Sequence, residues 1–435
     1  MSTITIGIIG LILFLVLLFS GIPVSFAMLF LGIMGLCVLR TPEAAFSMVN
    51  DSFTSTFTSY TTTVAPMFIL MGVIAGYSGV GASLVETINK FIGHRRGGIA
   101  MSVQAVCAIF GAICGSVPAT LATIGKIAYP EMKKRNYDDR LSTGAICAGS
   151  TLCILIPPSL TFIIYGMVTE ESVGKLFISG IVTGVILMVL YMIAVFIWCR
   201  ISPTISPVSE RTAWKYRFKS LLNGGLIQII IVFIIAMGGL FIGFFTPTEA
   251  GAVGVAGIMI VTIITKSLDF KKFAESLRET IRLTVMIYFL LATASVYGKF
   301  FSFTRIPYVI SDWVVSMNLS VVVIMLMITL IYLILGMLID AQALILLTIP
   351  IFYPVVIEMG LSGLWFGTYI VVVVGMALMT PPVAVATYIM QGLSGVKLQK
   401  IFVGVIPFII CDLVMMVLLI LFPSIATWLP GLMTR

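Results

Sequence analysis

The fold is decided by the stretch GIAMSVQAVCAIFGAICGSVPATLATIGKIAYP, residues 98–130. Its first apolar run, 98–114, is too short to cross a membrane and re-emerge cleanly, and it meets the turn Gly115-Ser116-Val117-Pro118. A second short run, 119–129, follows at once. Two half-length helices that meet at such a turn are typical of a re-entrant hairpin, whose two ends lie on the same side of the bilayer. We therefore predict a re-entrant hairpin over about 98–129, with its tip at Ser116.

The composition of the whole chain is that of a polytopic membrane protein. Of its 435 residues, 60% are hydrophobic and 10% are charged, whereas soluble domains carry about 25% charged residues. Apolar runs close to the ~20 residues of a membrane-spanning helix recur from end to end. The net charge of +8 comes mainly from basic residues in short stretches between these runs. That arrangement follows the positive-inside rule, so we expect a lipid bilayer as the partner and no nucleic acid.

The lysines and arginines test the topology. The spans placed by hydropathy include 3–20, 22–39 and 283–298, and 266–282 is interpreted as a basic connection. These spans leave five stretches on the cytoplasmic side, which hold 20 of the 25 basic residues. Both mouths of the hairpin are basic and are therefore assigned to the cytoplasm. The turn at Glu170-Glu171 and the C-terminus are assigned to the outside.

An offset of 224 residues relates the two halves of the chain. Adding 224 to the Pro-Pro pair that interrupts the run 141–168 gives the pair that interrupts the run 363–391. Adding 224 to the tip of the first hairpin gives the tip of a second predicted hairpin, at about 320–357. The pairs of features are Pro157-Pro158 with Pro381-Pro382, Ser116 with Asp340, and Pro23 with Pro247. The first hairpin opens inward and the second outward, so the copies are inverted. Inverted repeats with discontinuous helices are typical of secondary transporters.

Asp340 is the most informative polar residue. A carboxylate at membrane depth costs roughly 2.5–3.5 kcal/mol on insertion scales, so it usually faces a cavity or a partner. Cation coordination fits this position, and a snorkelling or interfacial aspartate is the alternative. Ser116 at the matching tip could coordinate an ion or satisfy its own helix end.

Ile156 and Thr380 each precede a Pro-Pro pair. Proline removes amide donors and leaves carbonyls without their helical partners, so both residues are candidate carbonyl donors to Na⁺, with a simple kink as the alternative. Helix capping is expected for Glu249, and burial against a neighbouring helix or subunit for Asp412. The sequence offers neither a catalytic constellation nor a phosphate-cradling glycine loop, so we expect no enzymatic activity and no ATP hydrolysis.

Several motifs, in order along the chain, resemble the large membrane subunit of tripartite ATP-independent periplasmic (TRAP) transporters, a family of the ion transporter superfamily. They are PMFILMG at 66–72, GSVPATLATIGKIAYPEMKKR at 115–135, ILIPPS at 154–159, TPTEAGAV at 246–253, GMLIDAQALILLTIPIFYPV at 336–355 and MTPPVAV at 379–385. The resemblance covers nearly the whole chain.

The resemblance implies an elevator-type fold, in which scaffold helices brace a transport domain that contains both hairpins and both discontinuous helices. We expect scaffold in 1–62, 171–284 (with amphipathic arms) and 393–435, and transport domain in 63–170 and 285–392. The protein would reside in the bacterial inner membrane and take up an organic acid, such as sialic acid or a C4-dicarboxylate. The expected partners are a small four-helix membrane subunit and a periplasmic substrate-binding protein.

The resemblance also implies that the chain uses no organic cofactor and that Na⁺ is the coupling ion. Two sodium sites are carried over by motif. The first comprises Cys114, Gly115, Ser116, Val117, Cys153, Ile156 and Pro158, and the second Gly336, Ala377, Thr380 and Val383. Ser116 and Asp340 would face the substrate or a further ion. The chain departs from the family pattern at Cys114, Val117, Cys153 and Ala377, where the family often has serine or glycine. These changes are compatible with coordination by backbone carbonyls but not by hydroxyls.

Two further hypotheses remain open. A stand-alone sodium/anion symporter of the same architecture would need no binding protein, and uptake by this chain alone would favour it. A structural or receptor-like membrane protein would show no substrate flux under any gradient.

Overall fold

The computed structural model shows a bundle of helices. It describes residues 2–207, 213–214, 216–217, 220, 226–316, 319–382 and 384–433, and all secondary structure in these ranges is helical. Val383, which was predicted for the second sodium site, lies outside the described residues. The predicted all-α class is therefore confirmed for the described part of the chain.

The first half of the chain contains both arms of the first hairpin and the first discontinuous helix. Its helices are α1 (Thr3–Phe19), α2 (Val24–Leu39), α3 (Pro42–Thr58), α4 (Val64–Tyr77), α5 (Val80–Ile92), α6 (Gly98–Cys114), α7 (Val117–Lys134), α8 (Asp139–Thr151), α9 (Leu160–Thr169) and α10 (Val173–Ile201).

The second half repeats this order, with a single helix in place of α3 and α4. Its helices are α11 (Leu226–Phe241), α12 (Pro247–Ile264), α13 (Phe270–Thr304), α14 (Ile306–Ser316), α15 (Val321–Gly336), α16 (Ala341–Glu358), α17 (Gly363–Ala377), α18 (Val385–Ser394) and α19 (Leu398–Leu421), followed by the short α20 (Ser424–Thr427).

The sequence offset persists in the helices themselves. α7 and α16 have 18 residues each and begin 224 positions apart. α8 and α17 also begin 224 positions apart, and each is followed by a break that contains a cis peptide, Pro157-Pro158 or Pro381-Pro382. The internal repeat predicted from three irregular features therefore extends through the second hairpin arm and the discontinuous helix of each half.

Hydropathy did not predict α3. Its sequence, PEAAFSMVNDSFTSTFT, is too polar to be read as a span, yet it packs along α13 through its aromatic side chains. Phe53 lies 6.2 Å from Phe289, and Phe57 lies 5.6 Å from Tyr288, measured between ring centroids. The ammonium group of Lys299 also donates to the carbonyl of Met48 at 3.2 Å. Tertiary packing therefore stabilises a helix that the apolar pattern does not reveal.

The second half has a single helix where the first half has two. α13 runs without a break for 35 residues, whereas the predicted span covered only 283–298 and left 266–282 as a basic connection. In the repeat, the start of α13 corresponds to α3. This part of α13 carries four basic residues, whereas α3 carries neither lysine nor arginine. The predicted topology places the two segments on opposite sides of the membrane, and the positive-inside rule then accounts for this difference.

Six described helical segments are long and apolar enough to cross a membrane, judged by length and composition alone. They are Tyr60–Tyr77, Val173–Ile201, Pro247–Ile264, Phe270–Thr304, Ala341–Glu358 and Leu398–Leu421. They indicate a multi-pass membrane protein. Ala341–Glu358 is the second arm of the second hairpin and is longer than the half-length arm predicted, so the re-entrant course of that hairpin stays a prediction.

Two further expectations about polar residues are confirmed. Thr246 and Glu249 form a reciprocal capping box at the start of α12, with the Glu249 carboxylate accepting from the Thr246 amide at 2.8 Å. Asp412 in α19 is 1% exposed, and one carboxylate oxygen accepts from the Tyr191 hydroxyl of α10 at 2.7 Å. Its other carboxylate oxygen is buried without a hydrogen-bond partner.

Replacing Tyr191 by phenylalanine should destabilise the protein. The change leaves both carboxylate oxygens of Asp412 buried and unpaired, which costs about 1–3 kcal/mol or more. The midpoint of thermal unfolding of purified protein measures the loss. Because removal of both partners can be nearly neutral, Tyr191→Phe combined with Asp412→Leu should recover most of the stability. A double variant as unstable as the single one would contradict this account.

Candidate functional site

The first hairpin tip packs on the break of the first discontinuous helix. α6 ends at Cys114, Gly115 has a φ of +62°, and α7 begins after Ser116. A Cβ atom at Gly115 would lie 3.1 Å from the carbonyl oxygen of Pro158. Glycine adopts positive φ without steric cost and lets backbones approach closely. The structure thus brings Gly115 and Pro158 of the predicted first sodium site together.

Cys153 belongs to the same cluster. A Cβ atom at Gly111 in α6 would lie 2.8 Å from the Cα atom of Cys153, so α6 and the turn after α8 touch through their backbones. The thiols of Cys114 and Cys153 both lie near the Thr120 hydroxyl at the start of α7. Cys114 and Cys153, two of the positions that depart from the family pattern, therefore lie side by side.

Ile156 directs its side chain away from this cluster. The side chain packs against Gly184 of α10, and the amide donates to the carbonyl of Leu152 at 2.9 Å. If Ile156 contacts an ion, its backbone carbonyl is therefore the group that does so.

The second tip has a matching contact. α15 ends at Gly336, where a Cβ atom would lie 2.6 Å from the Cβ atom of Ala377, at the end of α17. The hydroxyl of Thr380 donates to the carbonyl of Met376 at 2.6 Å, and its amide donates to that of Ala377 at 3.2 Å. Gly336, Ala377 and Thr380 of the predicted second site therefore lie around one helix break.

Asp340 and Ser116 occupy equivalent positions but bond differently. Asp340 is the N-cap of α16, and one carboxylate oxygen accepts from the amides of Gln342 at 3.0 Å and Ala343 at 3.1 Å. This cap is absent from the predictions above, although an aspartate directly before a helical run is a standard helix start signal. Ser116 is the N-cap of α7, and its hydroxyl makes no capping hydrogen bond, so the predicted possibility that it satisfies its own helix end is wrong. Coordination of an ion by either residue stays a prediction.

The chemistry available at the two tips suits a hard monovalent cation. Both clusters combine helix ends, irregular backbone and few ionisable groups, and carbonyl oxygens at such helix ends suit Na⁺. Within the described ranges, no group of three or more His, Cys, Asp or Glu side chains is placed to hold a metal ion. Two hairpins packed on two discontinuous helices in a repeated bundle define the class, a polytopic membrane protein with the architecture of a secondary transporter.

Comparison with known proteins identifies the family. Residues 11–425 match the family described as "Tripartite ATP-independent periplasmic transporter, DctM component". The chain is 32% identical over 397 residues to the C4-dicarboxylate TRAP transporter large permease protein DctM of Pseudomonas aeruginosa, covering 91% of each chain. It is 27% identical to the sialic acid TRAP transporter large permease protein SiaM of Vibrio cholerae, covering 96% of each. The chain belongs to the DctM family of TRAP transporter large permeases.

The fold is shared with a solved transporter. The Alcanivorax borkumensis YdaH transporter superposes with a TM-score of 0.64 over 90% of this chain and 89% of that one, at 11% sequence identity. A likeness at this identity shows the fold alone.

Proposed function

We propose that this chain is the large permease subunit of a sodium-coupled transporter that imports an organic acid delivered by a binding protein. The observation that carries the proposal is the contact of each hairpin tip with a discontinuous helix, Gly115 with Pro158 and Gly336 with Ala377. At an interrupted helix, backbone carbonyls lose their helical hydrogen-bond partners and can coordinate Na⁺. The N-termini of the half-helices can bind an anionic group. The names of the relatives, which specify C4-dicarboxylate and sialic acid, support an organic acid as the substrate.

In this proposal backbone carbonyls provide most of the sodium coordination. Side chains at the first tip are poor candidates, because two thiols stand there and the Ile156 side chain packs on α10. Carbonyl coordination tolerates those side chains. Ser116 and the free carboxylate oxygen of Asp340 would then face the substrate or a further ion.

Transport would proceed by an elevator movement of the body that holds both hairpins. Packing favours the inclusion of α10 and α19 in that body, although the sequence-based division placed them in the scaffold. Backbone at Gly144 of α8 touches Gly404 of α19, and the Trp365 indole of α17 donates to the Leu419 carbonyl of α19 at 2.7 Å. The hydroxyl groups of Ser179 in α10 and Thr368 in α17 form a hydrogen bond of 2.5 Å. Helices joined by buried contacts of this kind would move together.

The proposed partners follow from the family. A small four-helix membrane subunit would support the scaffold, and a periplasmic binding protein would deliver the substrate from outside. The complex would reside in the bacterial inner membrane.

Thermal unfolding in sodium and in potassium at equal ionic strength tests the proposal without knowledge of the substrate. Sodium at ten times its dissociation constant should stabilise the protein by about 1.4 kcal/mol per independent site, through mass action. We expect a higher unfolding temperature in sodium than in potassium for the purified chain. Equal temperatures in both salts, also with the small subunit present, would contradict sodium coupling. Substrate uptake by the chain alone in liposomes would instead support the stand-alone symporter.

A further inference from the structure

A cavity of about 820 Å³ lies between elements of both halves of the chain, separate from the hairpin tips. Its walls come from the α3–α4 connection, the α9–α10 turn, the start of α12, the middle of α13 and part of α16. This volume falls in the range of roughly 300–1,000 Å³ that is typical of small-molecule sites. Of the sodium and substrate residues predicted from the sequence and described by the structure, none lines it.

The α3 side of this cavity presents hydrogen-bond acceptors. Ten of the 23 described lining residues carry a hydroxyl group. Ser55 and Thr56 already donate their hydroxyl hydrogens to the Ser52 carbonyl, at 3.1 and 2.7 Å. Thr62 donates to the Ser59 carbonyl at 2.7 Å. A hydroxyl that has donated its hydrogen retains lone pairs that accept, so these three residues offer acceptors. The neighbouring hydroxyls of Ser59, Tyr60 and Thr61 can donate as well as accept. This wall therefore matches a ligand whose groups both donate and accept, as hydroxyl groups do.

The charge of the cavity disfavours a dianion. Glu170 and Glu171 are the charged residues among the described lining, and neither lysine, arginine nor histidine accompanies them there. The ammonium group of Lys299, one residue beyond the lining residue Gly298, is directed to the Met48 carbonyl at 3.2 Å. A small dicarboxylate carries two negative charges and no basic side chain among the described lining offsets them, so the glutamates disfavour it.

We propose that this cavity is a binding site for a polyhydroxylated solute with at most one negative charge. The proposal rests on the proposed import of an organic acid, and it narrows the substrate to hydroxyl-rich monocarboxylates. Hydroxyl groups of such a solute donate to the oxygens of the α3 wall, and its single carboxylate lies away from Glu170 and Glu171. The predicted topology, which assigns Glu170-Glu171 to the outside, also places the cavity at the outer end of the protein, where a delivered solute would first arrive.

Gly298 allows the cavity to be filled without disturbing the packing. It lies within α13 and lines the cavity, and a Cβ atom there would have no atom within 4 Å. Leucine at this position would extend into open space, and it favours helix more than glycine does. Gly238 in α11 is the matched control, because a Cβ atom there is equally unobstructed and Gly238 does not line the cavity.

The experiment compares the wild type, Gly298→Leu and Gly238→Leu, each purified and unfolded thermally in sodium chloride. The probes are gluconate, glucuronate and N-acetylneuraminate, with succinate as the dianion and glycine betaine as a zwitterion without hydroxyls. We expect at least one hydroxyl-rich monocarboxylate to stabilise the wild type and Gly238→Leu, with an apparent Kd at least tenfold weaker in Gly298→Leu.

Three outcomes would overturn the proposal. In the first, Gly298→Leu binds the hydroxyl-rich probes as tightly as the wild type does. In the second, none of the three hydroxyl-rich probes stabilises the wild type. In the third, succinate or glycine betaine binds the wild type more tightly than the hydroxyl-rich probes do. The sodium-against-potassium difference, measured in the same samples, separates this inference from the proposed function. If the difference persists while the probes fail, only the inference is wrong; if it is absent as well, sodium coupling fails too.

Discussion

Gly144→Ala is expected to destabilise the protein strongly, although alanine normally favours a helix over glycine by roughly 0.5–1 kcal/mol. Gly144 in α8 and Gly404 in α19 are both buried. A Cβ atom at Gly144 would collide with the backbone carbonyl group of Gly404, and one at Gly404 would collide with that of Arg140. Because backbone must shift to admit the methyl group, we expect a net loss of about 1–3 kcal/mol, seen as a lower unfolding temperature.

Gly238→Ala provides the matched control for this prediction. Gly238 also lies in a helix, but a Cβ atom there would meet no atom within 4 Å. The substitution should therefore be neutral or slightly stabilising. If Gly144→Ala unfolds at the same temperature as Gly238→Ala, then α8 and α19 are not in backbone contact. The proposed inclusion of α19 in the mobile body would lose its main support.

The sequence predicts the helices that apolar composition defines. The runs 3–20 and 22–39 correspond to α1 and α2, and the second hairpin, predicted at about 320–357, corresponds to α15 and α16. Helix α3 escapes prediction from hydropathy, because this polar helix is stabilised by aromatic contacts with α13. The helix in 266–282 is missed for a different reason, because a basic stretch can be helical when an adjoining apolar helix continues through it.

The candidate sites were predictable only where local chain features define them. Glycine and proline marked the tips and the breaks, but their grouping into sites came from the family resemblance; the structure contains the contacts of Gly115 with Pro158 and of Gly336 with Ala377. The hydroxyl-lined cavity could not be found in this way. Its walls come from segments as distant as Thr56 and Pro350, and no local pattern brings such segments together.

Asp340→Asn is expected to remove the sodium-specific stabilisation that a further Na⁺ at Asp340 provides, while leaving the protein folded. Asparagine caps a helix about as well as aspartate does, so the hydrogen bonds to the amides of Gln342 and Ala343 can persist. The negative charge that offsets a bound cation is lost. At ten times the dissociation constant, a lost site lowers the stabilisation by sodium by about 1.4 kcal/mol. The difference in unfolding temperature between sodium and potassium measures this loss.

Two further variants separate the ion role of Asp340 from its role as a cap. Asp340→Ala removes both the charge and the cap, so it should also lower stability in potassium, by about 1 kcal/mol. Ser116→Ala changes the equivalent position of the first repeat, where the hydroxyl makes no capping bond, so stability in potassium should hardly change. If Asp340→Asn keeps the full difference between sodium and potassium and only Asp340→Ala is unstable, Asp340 acts as a helix cap alone. The negative charge at the second tip would then play no part in sodium binding.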